Sequence, residues 1–171
     1  MRFTDFLSED AIRPSLRSRS RQKVLRELAE VLATEAGAPA ERIHPLLTAR
    51  ERIASTVICP GVAIPHCRLE GLQRITACVG IHHEGLAFGP PEGGLIHVFV
   101  GVVSPPDTGG LHLNVLSRIA ALLHEPQLRE ALKGAPTAAA LRTLLMEAEE
   151  AHVVSRSKSV SQAGRESSAP G

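Results

Sequence analysis

The sequence predicts a single α/β domain, built on a mixed central sheet of about five strands with helices on both faces. Helical periodicity fills the beginning and the end of the chain, whereas the middle holds short apolar runs rich in β-branched residues. The chain has 171 residues, of which 43% are hydrophobic, enough for one core. Helical segments on either side of a block of strands indicate a sheet sandwiched between helices.

Two helices are predicted in the first third of the chain, after an irregular or short-strand segment over residues 1–17. The first helix covers about 21–36, where apolar residues recur at helical spacing between a serine cap and a glycine stop. The second begins near residue 39 and runs to about residue 52. Pro45 is expected to break or restart it, because proline lacks the backbone N–H that a helix interior needs.

Three strand segments follow, over residues 61–66, 74–82 and 95–103. The last is a nearly continuous apolar run, typical of a strand covered on both faces. Helices are predicted again over 111–124, 126–133 and 136–150. From residue 151 the chain is rich in serine and poor in apolar residues, so it predicts a domain over 1–150 and a disordered tail over 151–171.

Composition argues against several classes of function. The formal net charge is +1 and aromatic residues make up 2% of the chain, so neither a charged field nor stacking platforms favour nucleic-acid binding. No apolar run is long enough for a membrane span, and the N-terminus lacks a signal-peptide core. The three cysteines are irregularly spaced and odd in number, which argues against a disulfide framework. A cytoplasmic protein is the expectation.

A zinc site is the alternative raised by the histidines and cysteines of the middle segment. Six side chains enter this hypothesis: His66, Cys67, Cys78, His82, His83 and His112. None has the short paired spacing of a structural zinc site, and no phosphate-binding glycine fingerprint appears. The sequence therefore predicts neither a metal nor a cofactor.

Two histidines stand in positions suited to chemistry. His66 ends an apolar strand directly after Pro65, and strand ends of α/β sheets are where ligand chemistry collects. His112 stands at the start of a predicted helix, where free N–H groups and the helix dipole favour an anion. One imidazole as nucleophile and the other as hydrogen-bond donor can hold a phosphoryl group. A structural role for either histidine remains the alternative.

The stretch from Arg50 to His66 (RERIASTVICPGVAIPH) resembles the active-site segment of the type-2 enzyme IIA family. This family is the fructose/mannitol and nitrogen-regulatory branch of the phosphoenolpyruvate-dependent phosphotransferase system (PTS). The resemblance continues through Phe88–Gly89, the strand LIHVFVGVVSP and the helix start HLNVLS, and covers roughly residues 6–149.

The resemblance implies a role for each matching residue. His66 corresponds to the histidine that accepts phosphate from the phosphocarrier protein HPr or its nitrogen-branch counterpart NPr. His112 corresponds to the second active-site histidine, and Arg50 to an arginine that offsets the phosphoryl charge. Thr56 falls at a Ser/Thr position before the strand and is expected to orient the imidazole or stabilise the phosphoryl group. The resemblance implies a downstream regulated protein or a permease domain as a further partner. It does not imply insertion into a membrane.

The sequence departs from the family pattern at four positions. Ala54, Val57, Cys59 and Cys67 stand where family members usually have glycine, and Cys67 beside the histidine is expected to narrow the pocket or alter carrier docking. Three hypotheses stay open: a nitrogen-regulatory phosphohistidine carrier, a sugar-transport component, and a silent protein-binding module of the same fold. The first is favoured, because no permease or carrier region shares the chain. The oligomeric state and the identity of the regulated target are not predicted.

Overall fold

The computed structural model describes residues 1–166 and contains five helices and a six-stranded sheet. The strands are β1 (Ile12–Arg13), β2 (Val57–Cys59), β3 (Val62–Ala63), β4 (His66–Arg68), β5 (Thr76–Ala87) and β6 (Leu95–Ser104). The helices are α1 (Arg21–Ala36), α2 (Ala40–Ile53), α3 (Leu111–Leu123), α4 (Pro126–Gly134) and α5 (Ala138–Glu166). Short 3-10 turns cover Phe3–Phe6, Glu9–Ala11 and Pro91–Gly93.

The sheet is mixed, as predicted, with the antiparallel hairpin β5–β6 at its centre. The strand order is β1-β5-β6-β3-β2, and β4 pairs with β6 beyond the end of β3. Strands β3 and β4 run parallel to β6, and β1 runs parallel to β5. Helices α1 and α2 pack on one face and α3, α4 and α5 on the other. The prediction of an α/β domain with helices on both faces is confirmed.

The predicted strand over residues 61–66 forms two short strands instead of one. Strand β3 ends at Ala63 and β4 begins at His66, with Pro65 between them. Proline has no N–H to give to a ladder, so pairing is interrupted there. The Pro65 carbonyl still accepts a bond from the Val102 N–H at 3.0 Å, which keeps the segment aligned with β6. His66 therefore begins a new strand in register with Val102.

Helix α2 continues through Pro45, so the predicted break at this residue is wrong. Ile43 and Leu47, on either side of the proline, are buried in the core. Their burial is worth about 1.5–3 kcal/mol each, which offsets the single missing hydrogen bond. By contrast, α1 forms over the predicted residues, with the Ser20 hydroxyl accepting from the Lys23 N–H and Gly37 ending the helix in the left-handed conformation.

Helix α5 extends to Glu166, whereas the sequence predicts a helix that ends near residue 150 and a disordered tail after it. No proline follows Ala138 until Pro170, so nothing in the backbone chemistry stops the helix earlier. All residues of 151–162 except His152 are exposed, so this part of the helix adds little to the core. Residues 167–171, the remainder of the predicted tail, lie outside the described residues.

The core is aliphatic and continuous, as the scarcity of aromatic residues indicates. Phe3 and Phe99 are its only fully buried aromatic side chains among the described residues. Valine, isoleucine and leucine from β5, β6, α1 and α3 supply most of the rest. Within residues 1–166, no helix combines the length and the apolar character that crossing a membrane requires.

Candidate functional site

The two histidines singled out from the sequence lie side by side at the end of the sheet. His66 is the first residue of β4, and β4 pairs with the last residues of β6. The chain leaves β6 at Ser104 and enters α3 at Leu111, which places His112 in the first turn of that helix. The centroids of the two imidazole rings are 5.6 Å apart and the rings are tilted by 58°. At this separation the two rings are direct neighbours, so a group bound to one imidazole lies close to the other.

The His66 ring is held by the backbone of its own strand. Its Nδ1 lies 2.8 Å from the Ile64 carbonyl oxygen, an acceptor that requires Nδ1 to carry the proton. Nε2 is therefore the nitrogen with the free lone pair in the neutral ring. The side chain is half-buried and lines a cavity of about 280 Å³. The ring therefore borders this cavity with its Nδ1 held and the lone pair of its Nε2 free.

The surroundings of His66 keep its imidazole neutral at physiological pH. Burial is the main influence and lowers the pKa of His66 below its ordinary value of 6.5. The bond to the Ile64 carbonyl opposes this effect, Arg50 and Arg68 reinforce it, and the charge of Glu51 opposes it. Only the neutral ring has a lone pair, so the depressed pKa keeps the lone pair of His66 available.

His112 is buried and has a defined partner. Its side chain is 4% exposed, and its Nδ1 lies 2.6 Å from the Ser104 hydroxyl oxygen. Burial, followed by the nearby charges of His66 and Arg68, lowers the pKa of His112 to about 4. The ring is therefore neutral at pH 7 and carries one proton, on either Nδ1 or Nε2.

The depressed pKa of His112 predicts a pH-dependent stability. Between about pH 6.5 and pH 4 the unfolded chain protonates this histidine and the folded chain does not, so the free energy of unfolding falls as the pH falls. Denaturant unfolding at pH 7 and pH 4.5 is expected to show a smaller loss of stability in His112→Gln than in the wild type. An equal loss in both proteins would show that His112 does not make this contribution.

Two arginines place positive charge beside the histidine pair. Arg50 lines the same cavity as His66, and its guanidinium donates to the Ala54 carbonyl at 2.9 Å. Arg68, two residues after His66 on the same strand, donates to the Pro106 carbonyl at 3.0 Å. The positive charge of Arg68 lowers the pKa of both His66 and His112. An anion bound at the histidine pair would therefore lie near two positive charges. The side chains that carry them are held by backbone carbonyls.

Thr56 lines the same cavity, and its hydrogen bonds bear on its two predicted roles, orienting the imidazole and stabilising a phosphoryl group. Its hydroxyl donates to a carboxylate oxygen of Glu51 at 2.6 Å, and its N–H donates to the other carboxylate oxygen at 2.9 Å. Because the hydroxyl has one proton and donates it to Glu51, it has none left to donate to a phosphoryl group. The Thr56 carbonyl accepts from the Ile64 N–H at 3.0 Å, which connects the residue to the segment that holds His66. This geometry favours the orienting role over direct contact with a phosphoryl group.

Three of the four residues that replace glycines lie outside the lining of the cavity. Cys67 and Cys59 are buried in the core, and burial raises the pKa of the Cys67 thiol to about 12. Of the four, Val57 alone lines the cavity. A Cβ atom at Gly89 would come within 2.6 Å of Val57 Cγ2, so a glycine at 89 makes room for the valine. The described part of the chain contains no group of three side chains placed to hold a metal.

Sequence reasoning missed three residues of the site. Arg68 was recoverable, because residues two apart on a strand share a face. Glu51 was quoted in the motif but received no role, since a buried glutamate cannot be distinguished from a surface one by sequence alone. Ser104 ends an apolar run, and only the fold brings its hydroxyl to His112.

The fold and this site define an α/β domain that can accept a group on a neutral imidazole beside a second imidazole. The chain belongs to the family of the phosphoenolpyruvate-dependent sugar phosphotransferase system, EIIA 2, whose model matches residues 5–148. Domains of this family transfer phosphate through a histidine.

Similar proteins place the chain close to one branch of the family. It is 30% identical over 145 residues to a nitrogen regulatory protein of Bradyrhizobium diazoefficiens, covering 85% of this chain and 95% of the relative. It is 33% identical over 129 residues to a nitrogen regulatory protein of Pseudomonas aeruginosa, covering 75% and 84% of the two chains. The crystal structure of the nitrogen regulatory protein IIA-Ntr from Neisseria meningitidis superposes with a TM-score of 0.78 and 28% identity, over 82% of this chain and 97% of that one.

Proposed function

We propose that this protein is a phosphohistidine carrier of the nitrogen-regulatory type, which accepts phosphate from HPr or NPr on Nε2 of His66. The observation that carries the proposal is the histidine pair. A neutral, half-buried imidazole is fixed at Nδ1, and a second neutral imidazole lies 5.6 Å away. Positioning and charge stabilisation, which this site supplies, account for most of the catalysis of phosphoryl transfer.

The chemistry balances without a metal or cofactor. The lone pair of His66 Nε2 attacks the phosphorus of a phosphohistidine on the carrier, and the phosphorus–nitrogen bond to the carrier breaks. The bonding pair returns to the carrier's imidazole as the P–N bond to His66 forms. Arg50 and Arg68 offset the charge on the three phosphoryl oxygens, and His112 donates to one of them.

This role of His112 requires one particular tautomer, which Ser104 can supply. To donate from Nε2, the neutral ring must accept a hydrogen bond at Nδ1, so the Ser104 hydroxyl must be the donor across the 2.6 Å contact. The two histidines would then carry their protons on opposite nitrogens. His66 exposes a lone pair at Nε2, whereas His112 exposes an N–H.

Ser104→Ala is therefore expected to slow phosphate transfer by up to about tenfold, the kinetic equivalent of one lost hydrogen bond. The label at completion should be unchanged, because His66 is intact. Ser104→Thr, which keeps the hydroxyl, is the matched control. Rapid-quench measurement of the transfer rate distinguishes the variants, and equal rates for alanine and threonine would remove Ser104 from the mechanism.

Exposed apolar side chains around the cavity offer a docking face for the carrier. Ile53 is 82% exposed, Leu113 is 62% exposed, and Ile58 lines the cavity itself. Exposed apolar groups, together with Arg50 at the cavity, suit an interface that must bring two histidines together and then separate. HPr or NPr is the proposed occupant of this face. Phosphate transfer would take place in the cytoplasm, where such carriers are phosphorylated.

The proposal favours a regulatory output over sugar uptake. The relatives of matching length are nitrogen regulatory proteins, and this chain covers 95% and 84% of two of them. In this proposal the phosphorylation state of His66 controls binding to a downstream protein. A permease domain is the partner that the sugar-transport alternative requires.

The test is intact-mass analysis after incubation with phosphoenolpyruvate, enzyme I and HPr, and separately with the nitrogen-branch enzymes and NPr. The expected result is a gain of one acid-labile phosphoryl group. Absence of any gain with both carrier sets, beside a second enzyme IIA that is labelled in the same mixtures, would support the silent binding module instead.

A further inference from the structure

A buried carboxylate lies behind the nucleophilic histidine, in a place to which the proposed chemistry assigns no role. Glu51, in the last turn of α2, is only 3% exposed. Both of its carboxylate oxygens accept hydrogen bonds from Thr56, from the N–H at 2.9 Å and from the hydroxyl at 2.6 Å. A buried charge is costly unless it is hydrogen-bonded, so this arrangement is a specific feature and not a solvated surface glutamate.

Two residues, Thr56 and Ile64, connect this carboxylate to the imidazole. The Thr56 carbonyl accepts from the Ile64 N–H at 3.0 Å, and the Ile64 carbonyl is the acceptor for His66 Nδ1 at 2.8 Å. Each donor in this series points toward Glu51, and each acceptor lies one step nearer to it. The series crosses the Cα atoms of Thr56 and Ile64, so each hydrogen bond fixes the position of the next residue, and the low dielectric of this buried site strengthens each bond.

From this series we infer that Glu51 is a positioning residue for His66, which acts through the backbone of Thr56 and Ile64 to fix the proton on Nδ1. The carboxylate holds Thr56, which aligns Ile64, and the Ile64 carbonyl then holds the ring with Nε2 free. The role rests on the proposed function, because it prepares His66 to accept phosphate. It differs from a purely structural role in one respect: the negative charge itself matters, and not only the shape of the side chain.

The electrostatics of the site agree with this role. The charge of Glu51 raises the pKa of His66, in opposition to burial and to Arg50 and Arg68. It therefore limits how far the surrounding cations weaken the basicity of the nucleophile. A weakly basic imidazole is a poorer nucleophile, so loss of this charge is expected to affect the reaction as well as the tautomer.

The experiment compares Glu51→Gln with Glu149→Gln, a matched control. Glu149 is also buried, at 7% exposure, and also accepts two hydrogen bonds from backbone N–H groups, those of Phe3 at 2.9 Å and Thr4 at 2.8 Å. It holds the N-terminal segment, and its hydrogen bonds do not involve His66. Both substitutions remove one buried negative charge and disturb two hydrogen bonds, so a general loss of stability appears in both.

The first readout is the imidazole of His66 in the unphosphorylated protein. Nitrogen-15 chemical shifts of the ring report the populations of the two tautomers, and a pH titration reports the pKa. In Glu51→Gln we expect a larger population with the proton on Nε2 and a lower pKa of His66 than in the wild type. In Glu149→Gln both quantities should match the wild type. This readout does not depend on phosphate transfer, so it separates failure of this inference from failure of the proposed function.

The second readout is the rate of phosphate acceptance, which should fall about tenfold in Glu51→Gln and stay unchanged in Glu149→Gln. Thr56→Val serves if Glu51→Gln does not fold, since it removes the hydroxyl bond, keeps the N–H bond and retains the charge. A smaller tautomer shift in the same direction is expected there, with Thr56→Ser restoring the wild-type ring. Identical tautomers and pKa of His66 in the Glu51, Thr56 and Glu149 variants would overturn the inference.

Discussion

Replacing His66 with alanine is expected to abolish phosphate acceptance completely. The imidazole supplies the nucleophilic nitrogen, and none of the other groups that line the cavity has a comparable lone pair at neutral pH. The measurement is intact-mass analysis after incubation with phosphoenolpyruvate, enzyme I and the matched carrier. The wild type should gain one phosphoryl group and the variant none.

The control for this experiment is His124→Ala, which removes a second imidazole at an exposed position after the end of α3. This variant should be labelled like the wild type, because His124 lies outside the cavity. Full labelling of His66→Ala would show that another residue accepts the phosphate. The assignment of His66 as acceptor would then be incorrect, whatever its geometry.

Replacing His112 with alanine is expected to slow acceptance by about 100- to 1,000-fold, the usual cost of removing one preorganised donor to a developing charge. The ring of His112 is buried against Ser104 and fixed beside His66, so its donor needs no reorganisation during the reaction. The final extent of labelling should still reach one phosphoryl group, because the nucleophile is present. Rapid-quench kinetics with the phosphorylated carrier measure the rate.

His112→Gln provides the matched comparison, since its amide nitrogen can donate to a phosphoryl oxygen without an imidazole. Its rate is expected to lie between those of the alanine variant and the wild type. A rate in His112→Ala equal to that of the wild type would remove His112 from the transfer step. Complete loss of labelling at long times would show that both histidines are required to carry the group.

The two histidines are expected to carry their protons on different nitrogens, although both are neutral and both are bonded at Nδ1. A carbonyl acceptor forces a proton onto Nδ1 of His66, whereas a hydroxyl partner allows His112 to hold its proton on Nε2. One ring can therefore attack and the other can donate. This asymmetry comes from the partners Ile64 and Ser104, not from the rings themselves.

Much of the fold was predictable from the sequence, because the apolar periodicity is strong where it matters. The strand Leu95–Ser104 and the helix Arg21–Ala36 lie within one residue of their predicted bounds, since buried β-branched runs and capped amphipathic helices are local signals. Pro45 misled the prediction because tertiary burial on both sides of it outweighs one missing bond. The extension of α5 beyond residue 150 was not predictable from composition, which describes packing ability and not backbone continuity.

The candidate site was predictable only as far as its motif residues. His66 and His112 were singled out by their positions at a strand end and a helix start, the family pattern added Arg50, and the structure brings the two histidines together. Glu51 and Ser104 were missed because their roles depend on burial and on contacts across the chain. The expected narrowing by Cys67 was wrong, because alternation along β4 turns its side chain into the core and leaves the cavity to His66.

The position of the bound phosphate is the most direct test of His66 as the phosphate acceptor. The protein is phosphorylated through the carrier with nitrogen-15 in its histidines, and long-range proton–nitrogen spectra then identify the modified ring and the modified nitrogen. We expect one phosphohistidine, at Nε2 of His66, whose Nδ1 keeps its proton and still donates to the Ile64 carbonyl. Phosphate on Nδ1 of His66, or on any other residue, would contradict it.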